Sequence, residues 1–174
     1  MVTFHSTRLE RTTTASFSCH DISADLQAFV DGTGIRNGLL VAAGQHTTTA
    51  LVVNEAEDRL LGDIERHFLA LTPPERAYAH NDLHLRPGIP ADEPRNAHAH
   101  LIALKLGNHL TLPVVDGRLG LGRYQAVLLV ELDGPHQRHI LVQLCGEARS
   151  SAGELDVYGV EKRDGVPEQE ALKG

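Results

Sequence analysis

Tryptophan is absent from this chain of 174 residues, and Phe and Tyr bring the aromatic share to only 4%. A surface on which successive bases stack needs exposed aromatic faces, so a nucleic-acid platform is not expected. Basic charge is also scarce. Sixteen Lys and Arg against 23 Asp and Glu leave a formal charge of -7, which works against unselective attraction to phosphate backbones or to anionic lipid. Cys19 and Cys145 are too few for a disulfide framework and read as buried or semi-buried thiols. The longest apolar runs, such as Ala126 to Val130, are much too short to cross a bilayer. No charged-then-apolar leader precedes the domain, so a cytoplasmic protein is expected.

What is present fits one domain with a real core: 41% of the residues are hydrophobic, and a chain of this length buries enough apolar area without staples. Loose alternation over 2–8 and 12–18 suits half-exposed strands. In Asp21–Asp31 the period changes, with Ile22, Leu26, Phe29 and Val30 on one helical face and Gly32 and Gly34 ending the helix. Asp21 and Ser23 are alternative caps. Gly38–Ala43 and Thr47–Val53 are strand-like, and Asn54 with Glu57 has the pattern of a reciprocal cap for a helix bearing Leu60, Leu61, Ile64, Phe68 and Leu71. Pro73-Pro74 stops it. Residues 72–94 form a long loop by composition, a length that points to function or disorder.

Asn96 is positioned to cap a short helix ending at Gly107, with Ala97, Leu101, Ala103 and Leu104 toward the core. Residues 110–115 and 120–132 read as strands, and Arg138–Leu144 as a hairpin partner of the latter. After Gly146 the pattern weakens. The expected division is a domain over 1–149 and a C-terminal extension over 150–174 of disordered composition, where Leu155, Val157 and Tyr158 are the one hint of a strand. Seven or eight strands and three helices imply an α+β fold, a mostly antiparallel two-sheet β-sandwich with flanking helices. No dinucleotide or phosphate-loop fingerprint occurs, and no organic cofactor is expected.

Eleven histidines is a high count. His46, His80, His98 and His100 sit beside turns or caps rather than inside apolar runs. Imidazole transfers protons near neutral pH and ligates borderline metals, so three converging rings would serve either a general acid/base site or zinc with an open position. On a helix, His98 and His100 point to different faces and cannot easily aim at one ion. The ordinary alternative is hydrogen-bonded surface histidines. Glu55, Asp58 and Asp63 are either helix-start carboxylates or partners of a histidine or Mg²⁺. Arg123 and Arg138, with free amides after Asn96, offer a phosphate cradle, or are exposed strand arginines.

Gly44-Gln-His-Thr-Thr-Thr-Ala50 with Asn54-Glu55, then Tyr78-Ala-His80, Asn96-Ala-His-Ala-His-Leu101, Gly107, Gly120-Leu-Gly-Arg-Tyr-Gln125 and Glu131-Leu-Asp-Gly-Pro135 with Arg138 resemble the YjbQ family, from about Ser6 to Gly146. The resemblance implies a two-sheet sandwich that assembles as a homotrimer. It also implies a pocket near a subunit boundary, formed by His46, His80 and His100, that holds a divalent metal (Zn or Mg) or an anion. Some members of the family are assigned a secondary thiamine-phosphate synthase activity, which implies a small phosphorylated substrate. In that reading His46, His80, His100 and Glu55 are the catalytic candidates, and Asn96, Arg123 and Arg138 hold the substrate. A metal-dependent hydrolase or lyase and a non-catalytic trimeric binding protein are the alternatives. The chain departs from the family pattern at Tyr124, where Trp is usual, at Arg123 for Thr, at Ile102 for Lys with Lys105 one turn on, and at His136 for Arg.

Overall fold

A computed structural model describes residues 2–148. The proposed extension over 150–174, with its candidate strand, lies outside the described residues. In chain order the elements are β1 (Val2–Thr12), β2 (Ser18–Asp21), α1 (Ser23–Thr33), β3 (Ile35–Gly44), β4 (Thr49–Asn54), α2 (Asp58–Leu71), α3 (Ala97–Leu106), β5 (His109–Val115), β6 (Arg118–Leu119), β7 (Ala126–Glu131) and β8 (Gln137–Ala148). The loop before α3 contains two single 3-10 turns, Ala79–Asn81 and Leu83–Leu85. The fold is α+β with two antiparallel sheets, ordered β1-β8-β3-β5-β6 and β2-β7-β4.

Alternation decides which side chains point inward. In the larger sheet Leu40 and Ala42 of β3, Leu112 and Val114 of β5, and Ile140, Val142 and Leu144 of β8 are buried; they meet Leu51, Val127 and Leu129 of the smaller sheet in one cluster. Ile22 at the N-terminal cap position of α1, with Leu26 and Val30 on the helix, joins the same cluster, spaced by four residues as a helix face requires. Gly34, in the left-handed conformation at φ 71°, ends α1. Asp21 Oδ1 accepts the Ser23 N–H at 2.8 Å, while Ser23 Oγ accepts the Val127 N–H at 2.8 Å. Both candidate caps thus have work, but only Asp21 serves the helix start.

The other face of the smaller sheet carries a second core. Ala50, Val130 and Leu132 pack there with Ala99, Ile102 and Ala103 of α3 and with the half-buried Ile64, Phe68 and Leu69 of α2. All six residues of β7 are buried because its two faces serve two cores. The apolar run at 126–130 is therefore a central strand, worth roughly 1.5–3 kcal/mol for each large side chain removed from water.

Several expectations need correction. β7 and β8 are not a hairpin: they belong to different sheets, and Asp133-Gly-Pro135 carries the chain between them. Residues 120–125 are not strand. Residues 2–12 form one strand rather than the start of two. Helix α2 is capped by Glu57, whose carboxylate accepts from Arg59 N at 3.0 Å and Leu60 N at 2.8 Å. Asn54 instead binds its neighbour's amide, Glu55 N, at 2.9 Å. On α3 the buried residues are Ala97, Ala99, Ile102 and Ala103, while Leu101 and Leu104 are exposed. A helix apolar nearly all round has no periodic signal to say which side faces in.

Candidate functional site

Two turns and one helix bring the histidines together. His46 follows the end of β3, where the chain makes a tight turn into β4. Asn108, next to the glycine that ends α3, holds that turn: its Nδ2 donates to the carbonyls of Gly44 at 3.2 Å and His46 at 2.5 Å, and its Oδ1 accepts from Thr49 Oγ1 at 3.3 Å. A Cβ on Gly44 would run into the Asn108 side chain, so the close approach requires glycine there. The His46 ring stacks on His139, with centroids 5.4 Å apart and planes at 19°.

His100 projects from α3 into the same recess as His46. This recess is about 560 Å³ and is lined on one side by Gly44–Thr47 and on the other by His100, Ala103, Leu104 and Asn108. His80 lies in the first 3-10 turn, edge-on to His100 with ring centroids 4.9 Å apart. That turn is tied down twice. Asn81 Oδ1 accepts the Ala97 N–H at 3.1 Å, and Arg86 Nη1 donates to the His80 carbonyl at 3.2 Å while its Nη2 pairs with Glu93 at 2.9 Å.

Burial lowers the pKa of His100, and the neighbouring His80 lowers it further. Burial likewise lowers His46, helped by Arg138 and His139. Both rings are neutral bases at pH 7. His80 Nε2 is buried without a hydrogen-bond partner, as are His98 Nδ1 and Asn96 Oδ1. An imidazole nitrogen of this kind, beside a second imidazole, is open to a ligand or a transferred proton.

The remaining candidates lie elsewhere. Glu55 is exposed after β4 and does not line the recess. Asn96 occupies the cap position of α3 without capping it; its Nδ2 donates to Asp133 Oδ2 at 2.6 Å, and Asn81 supplies the cap. Arg123 is exposed over the Tyr124 ring at 5.3 Å, away from the recess. Arg138 is no exposed cradle either. Its Nε and Nη2 grip Glu131 at 2.6 and 2.5 Å, and Nη2 also reaches Thr48 Oγ1 at 3.1 Å. Burial raises the Glu131 pKa, but Arg138, the Asp133 amide and Thr13 outweigh it and hold the carboxylate below its ordinary range. Ile102, at the usual lysine position, is fully buried in the second core.

His46, His80 and His100 do not converge on one ion: among the described residues no three His, Cys, Asp or Glu stand together as metal ligands. His98 points away from His100, as its place on a helix requires. Asn81, Asn108 and His139 also hold the site together, and the sequence alone marks none of them as site residues. Their signal was faint: each is a polar residue immediately beside a turn or a histidine motif.

These features define an α+β protein with a histidine-lined recess at the end of β3 in its larger sheet. The chain belongs to the UPF0047 protein YjbQ-like family, whose model matches residues 7–147. A UPF0047 protein of Methanothermobacter thermautotrophicus is 37% identical over 127 residues, covering 73% of this chain and 82% of the relative. One from Archaeoglobus fulgidus is 39% identical over 123 residues, covering 71% and 87%. The crystal structure of a YbjQ-like protein of unknown function from Sulfolobus solfataricus is similar with a TM-score of 0.76 and 36% identity, covering 84% of this chain and 100% of that one. No helix among the described residues is long and apolar enough to cross a membrane.

Proposed function

We propose that the recess binds a small phosphorylated molecule and that His80 and His100 move a proton at its leaving group, in a transferase of the thiamine-phosphate synthase kind. The observation that carries this reading is the edge-to-face pairing of His80 with His100 beside a recess that also holds His46. In such a reaction the C–O bond to diphosphate breaks with both electrons leaving on oxygen. The thiazole nitrogen then forms the new bond to the methylene carbon. A proton that the His80–His100 pair takes up as the anionic diphosphate binds beside it passes to the departing oxygen and lowers the barrier to departure, while the recess holds the two reactants in line.

The described residues of one chain offer no donor set that fits a resident divalent ion. Glu55, Arg123 and Arg138 have no part in this mechanism. Self-association, a homotrimer in our reading, is supported by the outer face of the larger sheet. There Phe4, Cys145, Leu39 and Pro113 stand in register across four strands, and Phe4 and Leu39 are 67% and 50% exposed. An apolar belt of this kind marks a protein contact. We also read the two sheets, which share one core, as the facing layers of a β-sandwich, and the compartment as cytoplasmic, in keeping with two free thiols.

The test is turnover of hydroxymethylpyrimidine diphosphate with thiazole phosphate by the purified protein. His80→Gln and His100→Gln are each expected to lose 10²-fold or more in rate, the usual scale of general acid catalysis. Full turnover by the double variant, or none by the folded parent protein, overturns the reading.

A further inference from the structure

β3 and β8 pair in register until Gly44 stands opposite Ile140. One step further the ladder is half made of side chain. Gln45 N donates to the His139 carbonyl at 3.0 Å in the ordinary way. The His139 N–H, which a longer β3 would have met with a carbonyl, instead donates to Nε2 of His46 at 3.0 Å. A backbone amide can only donate, so Nε2 has a free lone pair there and the neutral ring carries its hydrogen on Nδ1. Among the described residues Nδ1 has no hydrogen-bond partner, and it is not a buried atom.

The ring has little freedom to trade these roles. The stack on His139 fixes its plane, and Asn108 fixes the backbone on either side of it. Turning Nε2 toward a metal would strip the His139 amide of its acceptor in a half-buried strand, and ligation through Nδ1 would require losing that proton.

We propose that His46 serves the recess as a fixed hydrogen-bond donor through Nδ1–H, and that it recognises an anionic oxygen of the small-molecule ligand rather than binding a metal ion. The ligand half of this inference rests on reading the recess as an anion site; the tautomer stands on strand geometry alone. In that arrangement His46 orients the anion while His80 and His100 stay free for the proton, a division of labour among three histidines that spacing could not have shown.

The experiment is long-range proton–nitrogen NMR on the full-length, nitrogen-15-labelled protein, with His46 assigned by loss of its signals in His46→Gln. Glutamine can accept from the His139 amide, so the variant is expected to fold, and the decisive spectrum is that of the unaltered protein. At pH 7.5 His46 is expected to show protonated Nδ1 and unprotonated Nε2. Equimolar Zn²⁺ should leave that pattern unchanged, and inorganic pyrophosphate should shift the Nδ1 signal. Protonated Nε2, a His46 signal moved by zinc, or no response to pyrophosphate each overturns the proposal. Loss of turnover in the His80 and His100 variants is a separate measurement, so either idea can fail without the other.

Discussion

The side-chain oxygen of Asn81 accepts the backbone N–H of Ala97 at 3.1 Å, so the helix that carries His100 is capped from the turn that carries His80. Sixteen residues apart, the two pieces of the site are built as one unit. Removing the acceptor should loosen both.

Asn81→Ala is therefore expected to cost about 1 kcal/mol, the usual value of a helix cap, measured by urea unfolding. It should also raise the His100 pKa toward its ordinary value, because His80 would no longer be held against it and burial would ease. Asn81→Asp keeps an acceptor and should restore both. A His100 titration indifferent to Asn81→Ala would mean that the turn is held some other way, by Arg86 alone.

Glu131 and Arg138 form a buried pair, with side chains 0% and 6% exposed. Leaving one charge without the other in such a place costs roughly 3–5 kcal/mol. Glu131→Leu and Arg138→Met should each destabilise on that scale, and the double variant by much less than their sum. Additive losses in a double-mutant cycle would show that the two side chains act independently.

Much of this architecture was legible in the residues. The α1 face, the Gly34 stop and the buried run at 126–130 follow from the residues themselves, and His46 and His100 line one recess. What escaped was partnership at a distance. Nothing local says that β7 and β8 part into different sheets, or that Asn96 turns from its own helix to Asp133. Arg138 is hard to place from sequence for a physical reason: an arginine on a strand reads as exposed until the buried carboxylate ending the apolar run, Glu131, is seen as its partner. The inward side of α3 is hidden in the sequence because alanines with Ile102, not the leucines, make the close packing against the sheet.

Acid should destabilise the fold. The pKa values of His20, His46, His98 and His100 are all lowered, with burial the largest cause in each, so the folded state keeps these rings neutral. Above the ordinary value of 6.5 neither state binds the extra protons and stability is unaffected. As pH falls through 6.5 the unfolded chain takes them first, and stability declines until the folded values are passed. Glu131, held below 4.5, adds its loss only in more acid solution. Calorimetry should give a lower Tm at pH 5.5 than at 7.5; an unchanged or higher Tm contradicts the sign.

On the outer sheet face, Phe4→Asp and Leu39→Asp should leave the monomer's stability within about 0.5 kcal/mol, as exposed substitutions do. If the belt is a contact between copies, the same changes should move the mass measured by light scattering to that of a single chain. Retention of the parent mass by the double variant would place the contact elsewhere.

Gly44 and Asn108 allow a sharper test, because the space one lacks is occupied by the other. Gly44→Ala should destabilise by about 1–3 kcal/mol through overpacking, since its new methyl meets the Asn108 side chain. Asn108→Ala should also cost, by losing the bonds to Gly44, His46 and Thr49. Once Asn108 is short, however, the methyl at position 44 has room, so the double variant should lose markedly less than the two single losses combined. The cycle thus separates steric conflict from mere intolerance of alanine at a strand end. If Gly44→Ala costs the same with and without the asparagine, the turn that holds His46 is not organised around this pair.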